Sequence, residues 1–94
     1  MTGRERAQLR SQAHALEPIV HIGKEGVTEN VVRQADDALT ARELIKGTVQ
    51  QNAPLSAGEA SSVLCEKTGA EPISTTGRRF VIYRYSPKKH ERGG

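Results

Sequence analysis

Ile19-Val20-His21-Ile22 is a β-branched run closed on one side by Pro18 and on the other by Gly23, and on both sides of it apolar residues recur at helical spacing. A run that short between two breakers reads as a buried strand. Flanked by helical pattern, it commits the chain to alternating helix and strand, and such a chain buries its helices on a sheet. On the N-terminal side, residues 4–16 read as a helix with Leu9, Ala13 and Leu16 on one stripe, ended by Pro18. On the other side Gly23-Lys24-Glu25-Gly26 is a turn and Thr28 an N-cap. The helix it opens carries Val31, Val32, Ala35, Ala38 and Leu39 as its stripe and runs to about Arg42.

Leu44 to Gln50 reads as a second strand, with Ile45, Gly47 and Val49 on one face and Leu44, Lys46, Thr48 and Gln50 on the other, partly polar face. Ser56 with Glu59 is a capping box that opens a third helix, with Ala60, Val63 and Leu64 as core contacts and Gly69 as its C-terminal cap. Residues 70–76 and 79–85 read as two strands joined by a turn at Gly77-Arg78, with Pro72 placing the first at an edge or bulge. The prediction is a single α/β domain over residues 1–85, of order αβαβαββ, with helices packed on a four-stranded mixed sheet as one pair of layers. Residues 86–94 carry no apolar anchor and are predicted to form a mobile basic C-terminal tail.

With 94 residues, 35% of them hydrophobic, there is room for one core and no separate catalytic domain. Val, Ile, Leu and Ala must build it, because Phe80, Tyr83 and Tyr85 are the only large rings. No stretch approaches the roughly 18–20 consecutive apolar residues of a membrane span, and the start is charged, so a cytoplasmic protein with no membrane partner is expected. The single cysteine, Cys65, excludes an internal disulfide and any multi-cysteine metal site, and its place in an amphipathic pattern reads as a core thiol.

The net charge of +3 is unevenly spread: residues 1–46 carry seven basic and seven acidic groups, residues 47–77 one and three, residues 78–94 six and one. That asymmetry suits an anionic partner. Catalysis finds no such support. The carboxylates are scattered or sit beside basic neighbours, Asp36 and Asp37 are adjacent helical positions that diverge, and no metal-ligand spacing, nucleophile elbow or P-loop is present. His21 reads as a half-buried sheet residue. No enzyme activity, cofactor or metal is therefore expected.

The Gly23-Lys24-Glu25-Gly26 turn instead offers two glycines for close backbone approach, a following helix N-terminus and a cation at the tip, the arrangement by which G-x-x-G loops clamp a nucleic-acid backbone. Arg6, Arg10 and His14 fall at i, i+4, i+8 on the first helix. Arg78, Arg79, Arg84, Lys88 and Lys89 concentrate charge at the other end of the chain, where Tyr83 and Tyr85 share a face with Val81 and read as core or edge packing.

From about Leu9 to Arg84 the chain resembles the CRM domain, the chloroplast RNA splicing and ribosome maturation family, and in particular its free-standing bacterial YhbY-like members. The residues that carry the resemblance are Arg10, Ala13-His14, Leu16, Pro18, Ile22-Gly23-Lys24-Glu25-Gly26, Ala38-Leu39, Glu43-Leu44-Ile45-Lys46, Thr68-Gly69-Ala70, Gly77 and Val81-Ile82-Tyr83-Arg84. It implies an RNA-binding domain with a fold similar to the C-terminal domain of a bacterial translation initiation factor. Bacterial single-domain members are associated with precursors of the large ribosomal subunit, and plant members with group II intron splicing. The family's G-x-x-G loop falls on Gly23 to Gly26, and its basic surface on the first helix and Lys46. Three positions depart from the pattern: Gly47, where a β-branched residue is usual, Arg42, where histidine is common, and Thr76, where an aliphatic residue usually precedes the glycine.

The expected function is that of a monomeric ribosome assembly factor binding ribosomal RNA in large-subunit precursor particles. The expected contacts are Arg6, Arg10, Gly23, Lys24, Glu25, Gly26, Lys46, Arg78, Arg79, Arg84, Lys88 and Lys89. The alternative is a protein-interaction adaptor on the ribosome whose RNA affinity is incidental.

Overall fold

A computed structural model describes residues 2–87. Helix α1 (Gly3–Ala13) is followed by β1 (Val20–Ile22), α2 (Glu29–Arg42), β2 (Leu44–Val49), α3 (Ala57–Thr68), β3 (Glu71–Thr76) and β4 (Arg79–Tyr83). The strands form one sheet in the order β1-β2-β4-β3, with β1 and β2 parallel and the other neighbours antiparallel. The expected order and mixed four-stranded sheet are those observed.

Local chemistry sets the helix ends. Thr28 accepts from the Val31 N–H at α2, and Ser56 and Glu59 form a reciprocal capping box at α3. A second capping box, between Thr2 and Glu5, starts α1. In both boxes the glutamate's own bonds to the N-cap residue hold its carboxyl below the usual carboxylate range. Gly69 caps α3 in the left-handed conformation. Helix α1 is shorter than expected: Ala15 and Leu16 donate to Gln12 and Ala13, three residues back, so the chain tightens into turns ahead of Pro18.

The sheet is covered on both faces, giving three layers where one pair was expected. Val20, Ile22, Ile45, Val49, Phe80 and Ile82 face α2 and α3 and form the main core with Ala35, Leu39, Ala60 and Leu64. On the other face Leu44, Ile73 and Val81 gather under α1 with Ala13, and Leu9, Leu16 and Tyr83 pack against them. The narrow stripe of α1 needs only this small satellite, and strand alternation supplies it from residues pointing away from the main core. Burial pushes the Tyr83 hydroxyl above its usual range, and the charge of Glu43 adds to the shift.

Gly47 pairs with Phe80 across β2 and β4, and a Cβ built on it would overlap the tip of the Phe80 ring. The departure from a β-branched residue is thus compensated by its cross-strand partner, whose ring fills the space a side chain would occupy. At the edge, β3 shifts register between Pro72 and Ser74, as expected of a proline there.

Strand β4 ends at Tyr83, earlier than expected, because the chain then turns back onto α2. The Arg84 N–H donates to the Glu43 carbonyl, the Ser86 N–H donates to Glu43 Oε2 at 2.8 Å, and the Ser86 hydroxyl donates to the Thr40 carbonyl at 2.6 Å. Ser86, the first residue of the expected tail, is buried. Residues 88–94 of that tail lie outside the described residues. Glu43 itself has φ 68° and ψ −51°, a γ-turn-like conformation that costs a non-glycine residue on the order of 1–3 kcal/mol. Its carbonyl and carboxylate both hold the returning chain, which offsets that strain.

Candidate nucleic-acid interface

Strand register lines up two polar rows on the α1 side of the sheet. His21, Thr48, Arg79 and Thr76 lie abreast across all four strands, and Lys46, Val81 and Ser74 form the next row. Helix α1 covers only part of this face and leaves a shallow groove of about 200 Å³. Arg10 and His14 from α1, Lys46 from β2 and Arg79 from β4 surround it, Ser74 and Thr76 of β3 add hydroxyls, and Ala13 and Val81 supply the apolar floor. No carboxylate lines it, and among the described residues Arg10, Lys46 and Arg79 have no ion-pair partner. Like charges gathered without counter-ions repel, and an anion in the groove relieves that repulsion. Arg6 is exposed one helical turn before Arg10.

The Gly23–Gly26 loop sits where β1 and β2 run out together, and β4 begins at the same end. The Gln50 N–H donates to the Ile22 carbonyl, and the Val49 N–H to the Arg78 carbonyl. Lys24, exposed at the loop tip, and Arg78, exposed in the β3–β4 turn, therefore border the row that contains Arg79. The glycines themselves are explained by packing within the chain. Gly26 is buried with φ +73°, and a Cβ there would lie 3.3 Å from Pro54; one on Gly23 would lie 3.2 Å from the Gln50 amide oxygen. The α2 N-terminus is partly satisfied too, by the Thr28 cap and by Glu29 in the first turn. Lys24 and the exposed Glu25 remain the loop's outward chemistry.

Arg84 requires a correction. Its Nη1 donates to Asp36 Oδ1 at 2.6 Å and to the Thr68 carbonyl at 2.8 Å, while Nη2 donates to the Asp36 carbonyl at 3.0 Å and to Thr40 Oγ1 at 2.9 Å. A guanidinium engaged in this way ties the end of β4 to α2 and α3 and has little left for an RNA phosphate. It lies on the closed side of the sheet with Phe80 and Ile82, as strand alternation expects. Lys88 and Lys89 lie outside the described residues.

The structure thus brings Arg10, Lys46 and Arg79 together, places Lys24 and Arg78 at the adjoining edge, and removes Arg84. It keeps His14 of the α1 stripe beside Arg10 and adds Thr48, Ser74 and Thr76, and also His21, which is exposed where a half-buried residue was expected. Parity along the strands carried this signal: Lys46 and Thr48 share a face, and Arg79 lies with Val81. Among the described residues no three of His, Cys, Asp or Glu are arranged to hold a metal ion, and no helix is long and apolar enough to cross a membrane. Burial raises the Cys65 thiol above its usual range.

Residues 1–84 match the family model of the CRS1 / YhbY (CRM) domain. The chain belongs to that family. This CRM domain is 36% identical over 91 residues to "Probable RNA-binding protein YqeI" of Bacillus subtilis, a match covering 97% of the chain and 95% of the relative. It is 30% identical over 86 residues to an "RNA-binding protein" of Haemophilus influenzae, covering 92% of the chain and 87% of the relative. Among solved structures, the solution structure of a Staphylococcus aureus protein, described as a candidate RNA-binding protein, superposes on the CRM domain with a TM-score of 0.78. The identity is 44%, over 92% of this chain and 90% of the other.

Proposed function

We propose that this CRM domain is an RNA-binding module that acts as a ribosome assembly factor. In this reading it holds ribosomal RNA in large-subunit precursors through backbone contacts and catalyses no reaction, working as a monomer in the cytoplasm. The observation that carries the reading is the groove in which Arg10, Lys46 and Arg79 converge with no carboxylate among its lining. The names of its relatives and the resemblance of Leu9 to Arg84 to ribosome-associated family members support the choice of RNA. A protein adaptor would need an apolar docking patch, whereas Tyr85 is the one large hydrophobic residue exposed among the described residues.

Two measurements test this. In gradients of growing cells the protein should travel with large-subunit precursors, and recovery only as free protein would refute the ribosomal assignment. In vitro, Arg10→Ala, Lys46→Ala and Arg79→Ala together should flatten the log-log salt dependence of RNA binding by roughly 2–3, about 0.7 per lost phosphate contact on a single strand and about 0.9 on a duplex. An unchanged slope in a folded triple variant would move the site elsewhere.

A further inference from the structure

We infer that the site receives the backbone of base-paired RNA and distinguishes RNA from DNA by its hydroxyl side chains. The inference rests on the RNA-binding reading and gives that RNA a form. Proteins that hold unpaired strands stack bases on aromatic rings, whereas duplex RNA is recognised through phosphates and 2′-hydroxyls across its wide, shallow minor groove. No Phe, Tyr or Trp lines the groove among the described residues; its rings are the small imidazoles of His14, in the lining, and of His21, at the end of the neighbouring row. Phe80 is fully buried on the opposite face, across Gly47. Tyr83 packs against the cluster beneath α1. Tyr85 is exposed but follows the end of β4 remote from Lys24 and Arg78.

What the surface does present is cations and hydroxyls, set around the apolar Val81. Thr48, Arg79 and Thr76 stand abreast, with Lys46 and Ser74 in the next row. The row from His21 to Thr76 spans three inter-strand steps, about 14 Å at the usual strand spacing. The cations can meet phosphates, and Thr48, Ser74 and Thr76 can exchange hydrogen bonds with 2′-hydroxyls, which DNA lacks. Sequence should matter little, because nothing here is shaped to enclose a base.

The test titrates the full chain against a labelled hairpin of 16 base pairs of RNA, an unstructured RNA of the same length, and the equivalent DNA duplex, all at one salt concentration. The hairpin is expected to bind at least about tenfold more tightly than the unpaired strand and several-fold more tightly than the DNA. A hairpin of shuffled sequence is expected to bind alike. Thr48→Val with Thr76→Val keeps β-branched residues on the strands and should bring the RNA and DNA duplex affinities together, mainly by weakening RNA. Unpaired RNA binding as well as the hairpin would overturn the duplex inference and leave the RNA-binding reading standing. An unchanged RNA preference in the double variant would overturn the role of the hydroxyls. No binding to any probe by the folded chain would overturn both readings.

Discussion

The two faces of the sheet draw on the same strands and are finished differently. On the α2/α3 side, Phe80 fills the space above Gly47 and Arg84 is held by Asp36, Thr40 and Thr68, so volume and charge are both satisfied within the chain. On the α1 side, Lys46, Arg79 and Arg10 stand round an open groove with no acidic partner among the described residues. Arg79 opens β4 and Arg84 follows its end, yet one guanidinium faces solvent and the other closes a seam. An arginine's role is set by what the opposing surface offers it. Chemistry completed internally serves the fold, and chemistry left incomplete is available to a ligand.

Disturbing the closed face should have the greatest consequence for the molecule. Gly47→Val should cost about 3 kcal/mol through overlap with Phe80. Adding Phe80→Leu should recover part of that loss in chemical denaturation. A wild-type midpoint for Gly47→Val alone would show that the ring does not need the glycine.

Next in size is the contrast between the two arginines. Arg84→Ala should lower stability by about 2 kcal/mol, since it leaves Asp36 and the Thr68 carbonyl without their donor, the partial exposure of the pair keeping the loss below that of a buried one. For a domain of this size that is a melting shift of roughly 8–16 °C. Arg79→Ala should leave the melting temperature nearly unchanged and weaken RNA binding instead. Similar effects of the two substitutions on stability would erase the distinction between the faces.

The smallest expected effect is at the loop. Lys24→Ala should weaken RNA binding a few-fold and flatten the salt slope by roughly 0.7–0.9, with stability unchanged. Wild-type affinity in that variant, beside a clear loss in Arg10→Ala, would confine the site to the groove and leave Gly23 to Gly26 as a packed turn.

Much of the fold could be read from the sequence because its signals are local. Thr28, the Ser56–Glu59 box and Gly69 mark helix ends within a few residues of themselves, and strand parity correctly divides β2 and β4 between two faces. The Thr2–Glu5 box is equally local and its pattern was present to be read. The other unread features are non-local. Arg84 meets Asp36 across 48 positions of sequence, and the replacement of a side chain at Gly47 by the Phe80 ring depends on strand pairing. The third layer depends on where α1 crosses the sheet, which no periodicity specifies. At the site, composition located the charge near Arg78 and Arg79 but not its convergence with Arg10 and Lys46, since that requires β4 to lie between β2 and β3.

The return of the chain onto Glu43 also bears on how the molecule is made. Synthesis delivers residues in order, and domains settle as their parts emerge. A nascent chain that has emerged only as far as Tyr83 possesses all seven elements, with the turn at Glu43 among them. It lacks every bond that Arg84 and Ser86 make to α2 and α3, and Glu43 has neither of its contacts with the returning chain. This closure depends on a few residues that leave the ribosome after every strand and helix has already done so.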